Sequence, residues 1–189
     1  MSSLLEEAYA PPLPQPAAAA PQAPIPTYRL RRDIAGVETE LVVETFDDRV
    51  LVVLTQSGKV GCLTQAHLPP VAQLVPPPAH TDAAPSALSA LPPPPPATHL
   101  TPLLGAPPQP TLHELYVSQI ATLVWWALQL ARAPRRPVVV GLALKRAPRG
   151  PGLDDDDEGV DGDDERVRFA GVMDMVASWP GPASAPAPQ

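Results

Sequence analysis

A helix and a strand are encoded back to back in residues 111–145, TLHELYVSQIATLVWWALQLARAPRRPVVVGLALK. Apolar residues recur there three and four positions apart, which predicts one buried stripe along an amphipathic helix. The stripe comprises Leu112, Tyr116, Ile120, Leu123, Val124, Ala127 and Ala131. Thr111 and Glu114 have the spacing of a capping box, so we expect the helix to begin there. Pro134 and Pro137 should end it.

The residues after the helix form a continuous apolar run from Val138 to Leu144. Such a run is typical of a strand that is covered on both faces. The helix itself is about the ~20 residues that a membrane span requires. However, its polar residues, among them Ser118, Thr122 and Gln129, fall on one side. This segregation indicates a helix that lies on a protein core, and we expect no membrane partner.

The N-terminal half predicts strands joined by short turns. Alternating or continuous apolar residues mark four strands, at residues 28–34, 37–45, 50–54 and 60–66, and a fifth at residues 99–104. Ser57 and Gly58 have the composition of a hairpin loop. Helical spacing returns between Phe169 and Trp179. We therefore predict an α+β fold: an antiparallel β-sheet meander with one long central helix and one C-terminal helix, interrupted by long disordered Pro-rich and acidic insertions.

Thirty prolines are too many for an ordinary domain of 189 residues. Pro/Ala-rich tracts cannot bury enough apolar surface to offset the entropy of the chain, so we expect them to be disordered. This expectation divides the sequence into a lead, residues 1–27, a single domain, residues 28–179, and a tail, residues 180–189. Within the domain, the ordered parts are predicted at residues 28–68, 98–146 and 165–179, separated by a Pro-rich insertion, 69–97, and an acidic loop, 147–164.

The formal net charge of −7 comes from one acidic run. Nine acidic residues lie between Asp154 and Glu165, and the rest of the chain has 11 acidic and 13 basic residues. The remainder is near neutral and lacks the basic footprint of a nucleic-acid-binding protein. The single cysteine, Cys62, excludes an internal disulfide and fits a reducing compartment.

No motif in the sequence favours catalysis, a metal or a cofactor. The acidic run matches several ligand positions of an EF-hand loop, but PRGPG before it cannot form the entering helix and Asp161 stands at a normally apolar position. We interpret it as a solvated acidic segment that could steer a basic partner. The histidines lack the spacing of metal ligands, and GKVG at residues 58–61 is not a phosphate loop. We therefore expect a protein that is not an enzyme.

Trp125 falls on the polar side of the helical wheel. An aromatic side chain on an exposed helix face is a candidate anchor for a protein interface. The alternative is that an inserted segment covers it, and the sequence leaves both readings open.

Several segments, in the same order, resemble the proteasome assembly chaperone 3 family. Residues 36–66 are similar to its front half, with VLVVLTQSGKVGCL at residues 50–63 as the signature. Residues 101–124, TPLLGAPPQPTLHELYVSQIATLV, resemble its strand ending in LLG and its long helix. Residues 135–145 and 169–179 resemble its last strand and C-terminal helix. The added Pro-rich and acidic segments would suit an insertion-rich, fungal-like member.

The resemblance implies a heterodimer with a related chaperone of the fourth type. That pair would assist assembly of the α-subunit ring of the 20S proteasome. We expect it in the cytoplasm, and the resemblance also allows the nucleus. We expect the partner chaperone to meet the sheet around residues 50–63, and the acidic loop to meet basic α-subunit surface. The candidate partner-binding residues are Val50, Val52, Leu54, Gln56, Lys59, Leu63, Trp125, Asp154, Asp155, Asp156, Asp157 and Glu158.

The alternative function is a polyproline-bearing adaptor. Residues 11–14, PPLP, and the proline run at residues 92–96 have the composition of ligands for SH3- or WW-type domains. Deletion of residues 1–27 and 69–97 would abolish the function of an adaptor and leave a chaperone nearly unaffected.

Overall fold

The computed structural model describes residues 25–56, 58–77, 91–145 and 158–182, and the side chains of the last range from residue 162 onward. These residues form an α+β fold with one six-stranded sheet and two helices, which confirms the predicted class. The elements are β1 (Thr27–Ile34), β2 (Val37–Thr45), β3 (Val50–Thr55), β4 (Cys62–His67), β5 (His99–Leu104), α1 (Pro110–Leu130), β6 (Val138–Ala143) and α2 (Glu158–Ala177).

The strand order is β1-β2-β3-β6-β4-β5, so the predicted antiparallel meander is wrong from the fourth strand onward. β6 lies between β3 and β4, pairing parallel with β3 and antiparallel with β4. The physical reason lies in the connection after β3. Gly61 has a φ of +70°, and a Cβ there would lie 1.9 Å from the carbonyl oxygen of Leu142. The chain therefore crosses closely past the end of β6 instead of folding back on β3 as a hairpin. Of the predicted hairpin loop, Ser57 lies outside the described residues.

The central position of β6 follows from its composition. Val138 and Val140 are completely buried and face the helices. The prediction that this run forms a strand is confirmed, and β6 has a neighbouring strand on each side. It was predicted to be covered on both faces, but neither helix packs on the face that carries Val139.

α1 begins at Pro110, with Gln109 as N-cap and no side-chain hydrogen bond at the cap. The predicted capping box is therefore wrong, because Thr111 already lies inside the first turn. Proline at the first helical position needs no N–H partner, so the helix begins without a capping side chain. At the other end, the N–H of Ala133 bonds the carbonyl of Leu128 (2.9 Å), and Arg132 has a φ of +54°. This is the geometry of a Schellman motif.

α1 is buried over more of its circumference than the predicted stripe. Tyr116, Ile120 and Val124 face the core as expected, but Thr122 is also completely buried. The helix contacts α2 as well as β6 and β4. The side chain of Gln119, itself buried, donates to the carbonyl of Pro92 (2.9 Å). Partners on more than one side leave little of the helix free for polar residues.

Two segments differ from the predicted boundaries. α2 begins at Glu158, within the acidic run that was expected to be a loop. The flanks of the Pro-rich insertion, residues 69–77 and 91–97, have defined positions, with Pro92 and Pro95 buried. Arg135 bonds the carbonyls of Pro69 and Ala72 and so fixes the first flank. The predictions for residues 1–24, 78–90, 146–157 and 183–189 lie outside the described residues.

Across the described ranges, neither helix is long and apolar enough to cross a membrane.

Candidate interaction surface

The two helices pack on one face of the sheet, where α1 contacts β6 and β4 and α2 contacts β1. We call the opposite face the open face, since neither helix packs on it. In β3, Val50, Val52 and Leu54 belong to the core under the helices. Leu51 and Val53 alternate with them, are half-buried and do not belong to that core. Successive residues of a strand point to opposite faces, so these two lie on the open face.

The apolar character continues across β6. Val139 pairs with Leu51 in register and is 6% exposed, yet it is not part of the core beneath the helices. Gly141 pairs with Val53 on one side and with Leu63 of β4 on the other. Apolar residues therefore lie side by side on the open face of three adjacent central strands, and we call Leu51, Val53, Val139 and Leu63 the open-face strip. Gln65 of β4, in register with Val139, is its polar neighbour.

Gly141 keeps the strip closely packed at its centre. A Cβ at this position would lie 3.1 Å from both Leu63 Cδ2 and Val60 Cγ1. The side chains of Val60 and Leu63 therefore close over the glycine. Val60 is 46% exposed, so an apolar group remains at the surface next to the strip.

The two edges of the sheet differ in character. On β1, Arg31 approaches Glu40 of β2 (3.3 Å) and Glu38 (3.8 Å), so that edge is charged. On β5, Leu103 and Leu104 are about half exposed. An apolar centre beside a charged margin has the general composition of a protein–protein interface.

The predicted partner-binding residues of β3 are corrected by this geometry. Val50, Val52 and Leu54 are completely buried under the helices and offer no surface to a partner. The sequence did not single out Leu51 and Val53 as the residues on the other face, because a continuous apolar run gives no sign of which residues face the helices. Val139 lies on that face too but is buried, at 6% exposed. Of the predicted set, Leu63 does lie on the open face and is half-buried.

Gln56 and Lys59 lie where the chain leaves β3. Gln56 donates from Nε2 to Thr39 Oγ1 (2.9 Å) and accepts from the backbone N–H of Lys145 (2.8 Å), so its side chain joins three segments. Lys59 has an exposed side chain, and its backbone N–H donates to Thr55 Oγ1 (3.1 Å). Gln56 therefore has a local structural role, whereas the ammonium of Lys59 is accessible.

Of the two readings of Trp125, the exposed interface anchor is wrong, because the side chain is covered. Its side chain is 1% exposed, and its indole Nε1–H donates to the carbonyl oxygen of Arg136 (2.9 Å). Trp125 therefore connects α1 to the segment that enters β6. Trp126, in contrast, is partly buried, and its indole nitrogen is buried without a described hydrogen-bond partner.

The acidic candidates are divided by the boundary of α2. Asp154, Asp155, Asp156 and Asp157 lie outside the described residues. Glu158 is the first residue of α2. Further along this helix, Glu165 accepts hydrogen bonds from Tyr116 and Arg168, both at 2.6 Å.

The other ionisable side chains of the described residues do not form a cluster that could bind a metal ion. Within the described ranges, no three His, Cys, Asp or Glu side chains come together as a metal site. His113 Nε2 lies 2.9 Å from Thr64 Oγ1, and burial lowers the pKa of His113 while the charge of Glu114 partly opposes that shift. Cys62 is a free, half-buried thiol.

No protein-family model matches the chain, and no curated protein matches it.

Proposed function

We propose that the chain is a non-catalytic assembly chaperone that pairs with a related chaperone of the fourth type and promotes assembly of the 20S proteasome α-ring in the cytoplasm. The observation that carries the proposal is the open-face strip: Leu51, Val53, Val139 and Leu63 form an apolar centre on the side of the sheet away from both helices. The sequence resemblance through TQSGK and the order of the segments supplies the identity of the partner.

The strip supports pairing because its half-buried residues, Leu51, Val53 and Leu63, would lose their remaining exposure to water on binding. Burying apolar surface yields about 25 cal/mol per Å². An antiparallel sheet with a solvated face normally alternates apolar and polar residues, whereas β3 and the start of β6 are apolar on both faces. A partner with a similar apolar sheet face would cover the strip. The charged margin at Arg31 and Glu40 would then lie at the rim, where charges restrict the orientation of the partner.

The contact with α-subunits is a separate part of the proposal. Asp154, Asp155, Asp156 and Asp157 would face basic α-subunit surface, so that contact should weaken with salt. Replacing all four by asparagine removes the charge while keeping α2 intact, since α2 begins at Glu158. The variant should recover the partner chaperone normally and α-subunits poorly. Equal recovery of α-subunits by the variant and the native chain would contradict this role.

The direct test is recovery of the tagged full chain from its own cell extract at low and moderate salt, followed by mass spectrometry. A small α/β partner together with proteasome α-subunits, and few mature β-subunits, would support the chaperone. Proteins with SH3 or WW domains and no proteasome subunits would contradict it and favour the polyproline adaptor. The adaptor has weaker support at residues 92–96, because Pro92 and Pro95 are buried and the carbonyl of Pro92 is bonded to Gln119.

A further inference from the structure

A cavity of about 340 Å³ opens where β4 ends and β6 begins. This volume lies within the range of small-molecule sites. The walls combine apolar and cationic groups: His67, Leu68, Pro70, Arg135, Arg136 and Pro137. Two adjacent arginines in one small cavity need a physical explanation, because like charges repel each other.

Arg135 is held in place by a single nitrogen. Its Nη1 donates to the carbonyl oxygens of Ala72 (2.7 Å) and Pro69 (3.1 Å). Both acceptors are neutral, so the bonds orient the guanidinium without neutralising it. Its Nε and Nη2 have no acceptor among the described residues, so their N–H groups remain for another one.

Arg136 is fixed by both its backbone and its side chain. Its carbonyl accepts from the indole of Trp125, and the next carbonyl, of Pro137, accepts from the N–H of Val50 (3.0 Å). Its Nη1 donates to the carbonyl of Phe46. Its Nε is buried and has no hydrogen-bond partner among the described residues. A buried donor without an acceptor is costly, so the guanidinium of Arg136 is only partly satisfied within the described residues.

The charge of the pair is not balanced locally. Neither guanidinium forms an ion pair with a carboxylate of the described residues. Asp48 is close enough for Arg136 to contribute to lowering its pKa, but the largest contribution is the hydrogen bond from Arg49. Arg49 donates from Nη2 (2.6 Å) and from Nε (2.9 Å) to the same atom, Asp48 Oδ2. Asp48 is therefore paired mainly with Arg49 and balances only part of the charge of Arg136.

We propose that this cavity is an oxyanion-binding site that takes a carboxylate or phosphate group beside Arg135 and Arg136. Guanidinium groups offer paired N–H donors that match the spacing of oxygens on both kinds of anion. Leu68, Pro70 and Pro137 supply apolar walls that strengthen the electrostatic attraction. The inference does not depend on the proposed chaperone function.

The test is a titration of the ¹⁵N-labelled full chain with inorganic phosphate, and separately with acetate, at constant ionic strength. The Nε–H resonances of Arg136 and Trp125 report on the site directly. We expect saturable shifts with a dissociation constant of roughly millimolar order, as for a small ligand held by a few bonds. Saturation by either anion supports the site. The anion that saturates it shows whether the site prefers a phosphate or a carboxylate. Linear shifts with both anions would overturn it.

Matched variants distinguish the site from general charge screening. Arg135→Gln and Arg136→Gln should each weaken binding about tenfold, the usual effect of losing a charge-assisted hydrogen bond. Arg29→Gln removes the same charge from an exposed residue of β1 and should leave binding unchanged. Arg136→Gln also removes the bond to Phe46, so Arg136→Lys serves as a second variant. It keeps the positive charge but loses the paired N–H donors of the guanidinium. Equal binding by all four variants would overturn the proposal.

Discussion

The hydroxyl of Tyr116 donates a 2.6 Å hydrogen bond to Oε1 of Glu165 and so joins α1 to α2. The second carboxylate oxygen of Glu165 accepts from Arg168 (2.6 Å). The ring of Tyr116 packs edge-on against Phe169, with centroids 5.0 Å apart. Burial raises the pKa of Tyr116, and the bond to Glu165 raises it further, so the phenol remains the donor at neutral pH. This contact fixes the N-terminal half of α2 on the core.

Replacing Tyr116 by phenylalanine should lower the free energy of unfolding by about 1–2 kcal/mol, because a bond to a charged acceptor in a partly buried site is lost. Tyr28→Phe is the matched control, since its hydroxyl makes only a 3.3 Å bond to the carbonyl of Ser178 at an exposed site. The control should change stability little. Urea denaturation of both variants measures the difference. Equal losses of unfolding free energy would show that the Tyr116–Glu165 bond stabilises the fold no more than the exposed bond of Tyr28.

His113 should make the fold less stable in mild acid. Its pKa is lowered in the folded chain, so the unfolded chain binds the proton more readily. Stability from neutral His113 is thus present above the unfolded value of about 6.5 and is lost as pH falls through the folded pKa. His113→Gln should reduce the rise in unfolding free energy between pH 5 and pH 7. His99→Gln, at an exposed position, is the control and should retain the full rise.

The helices and strands could be predicted largely from the sequence, but the position of β4 could not. Periodicity reports only on neighbours along the chain. The exchange of a β3–β4 hairpin for a parallel β3–β6 pair depends on the contact between Gly61 and Leu142, which are distant in sequence. Gly58 and Gly61 fit the loop of a β3–β4 hairpin as well as they fit the observed crossing, so the sequence does not distinguish the two topologies.

The sequence could not show which side chains of β3 are buried under the helices and which lie on the open face. Residues 50–54 are all apolar, so no polar residue marks which side of β3 is open. The sequence left the burial of Trp125 open for a related reason: a helical wheel assumes one covered face, whereas α1 meets the sheet, α2 and the flanks of the insertion. The bond from Trp125 to the backbone of Arg136 is tertiary and leaves no signal in local spacing.

Gly61 tests the chain crossing that separates β3 from β4. Gly61→Ala should be strongly destabilising, by about 3 kcal/mol or more, because its Cβ would overlap the carbonyl of Leu142 and its φ is positive. Gly58→Ala shares the positive φ but has no atom within 4 Å of the added Cβ, so it should cost only about 1 kcal/mol. Thermal or urea unfolding compares the two. Similar losses would mean that backbone strain, and not the close crossing, dominates at Gly61.

Arg132 occupies a position that favours glycine. It follows the C-cap of α1 with a φ of +54°, where a side chain is strained. Arg132→Gly should therefore raise the free energy of unfolding by about 0.5–1 kcal/mol. The relief of backbone strain stabilises the fold, and the greater entropy of the unfolded chain with glycine offsets part of that gain. Arg132→Ala removes the same charge and side chain without relieving the strain. A comparable gain from alanine would attribute the effect to the side chain.

Val53 provides the sharpest test of partner binding. Its side chain lies on the open face, between Val42 of β2 and Gly141 of β6 in register. A glutamate there remains accessible to water in the isolated chain, but pairing would bury its charge without a partner. Val53→Glu should thus lower recovery of the partner chaperone about tenfold or more, with the circular dichroism spectrum preserved.

The control for Val53→Glu introduces the same charge on the helical side of the protein. Val167 is 58% exposed on α2, so Val167→Glu should leave both the fold and the recovery of the partner unchanged. Pull-downs of the two variants at equal expression, quantified by mass spectrometry, give the comparison. If Val53→Glu recovered the partner as well as Val167→Glu does, the open-face strip would not be the pairing surface. If Val167→Glu alone lost the partner, pairing would occur through the helices, and the apolar centre of the sheet would need another occupant.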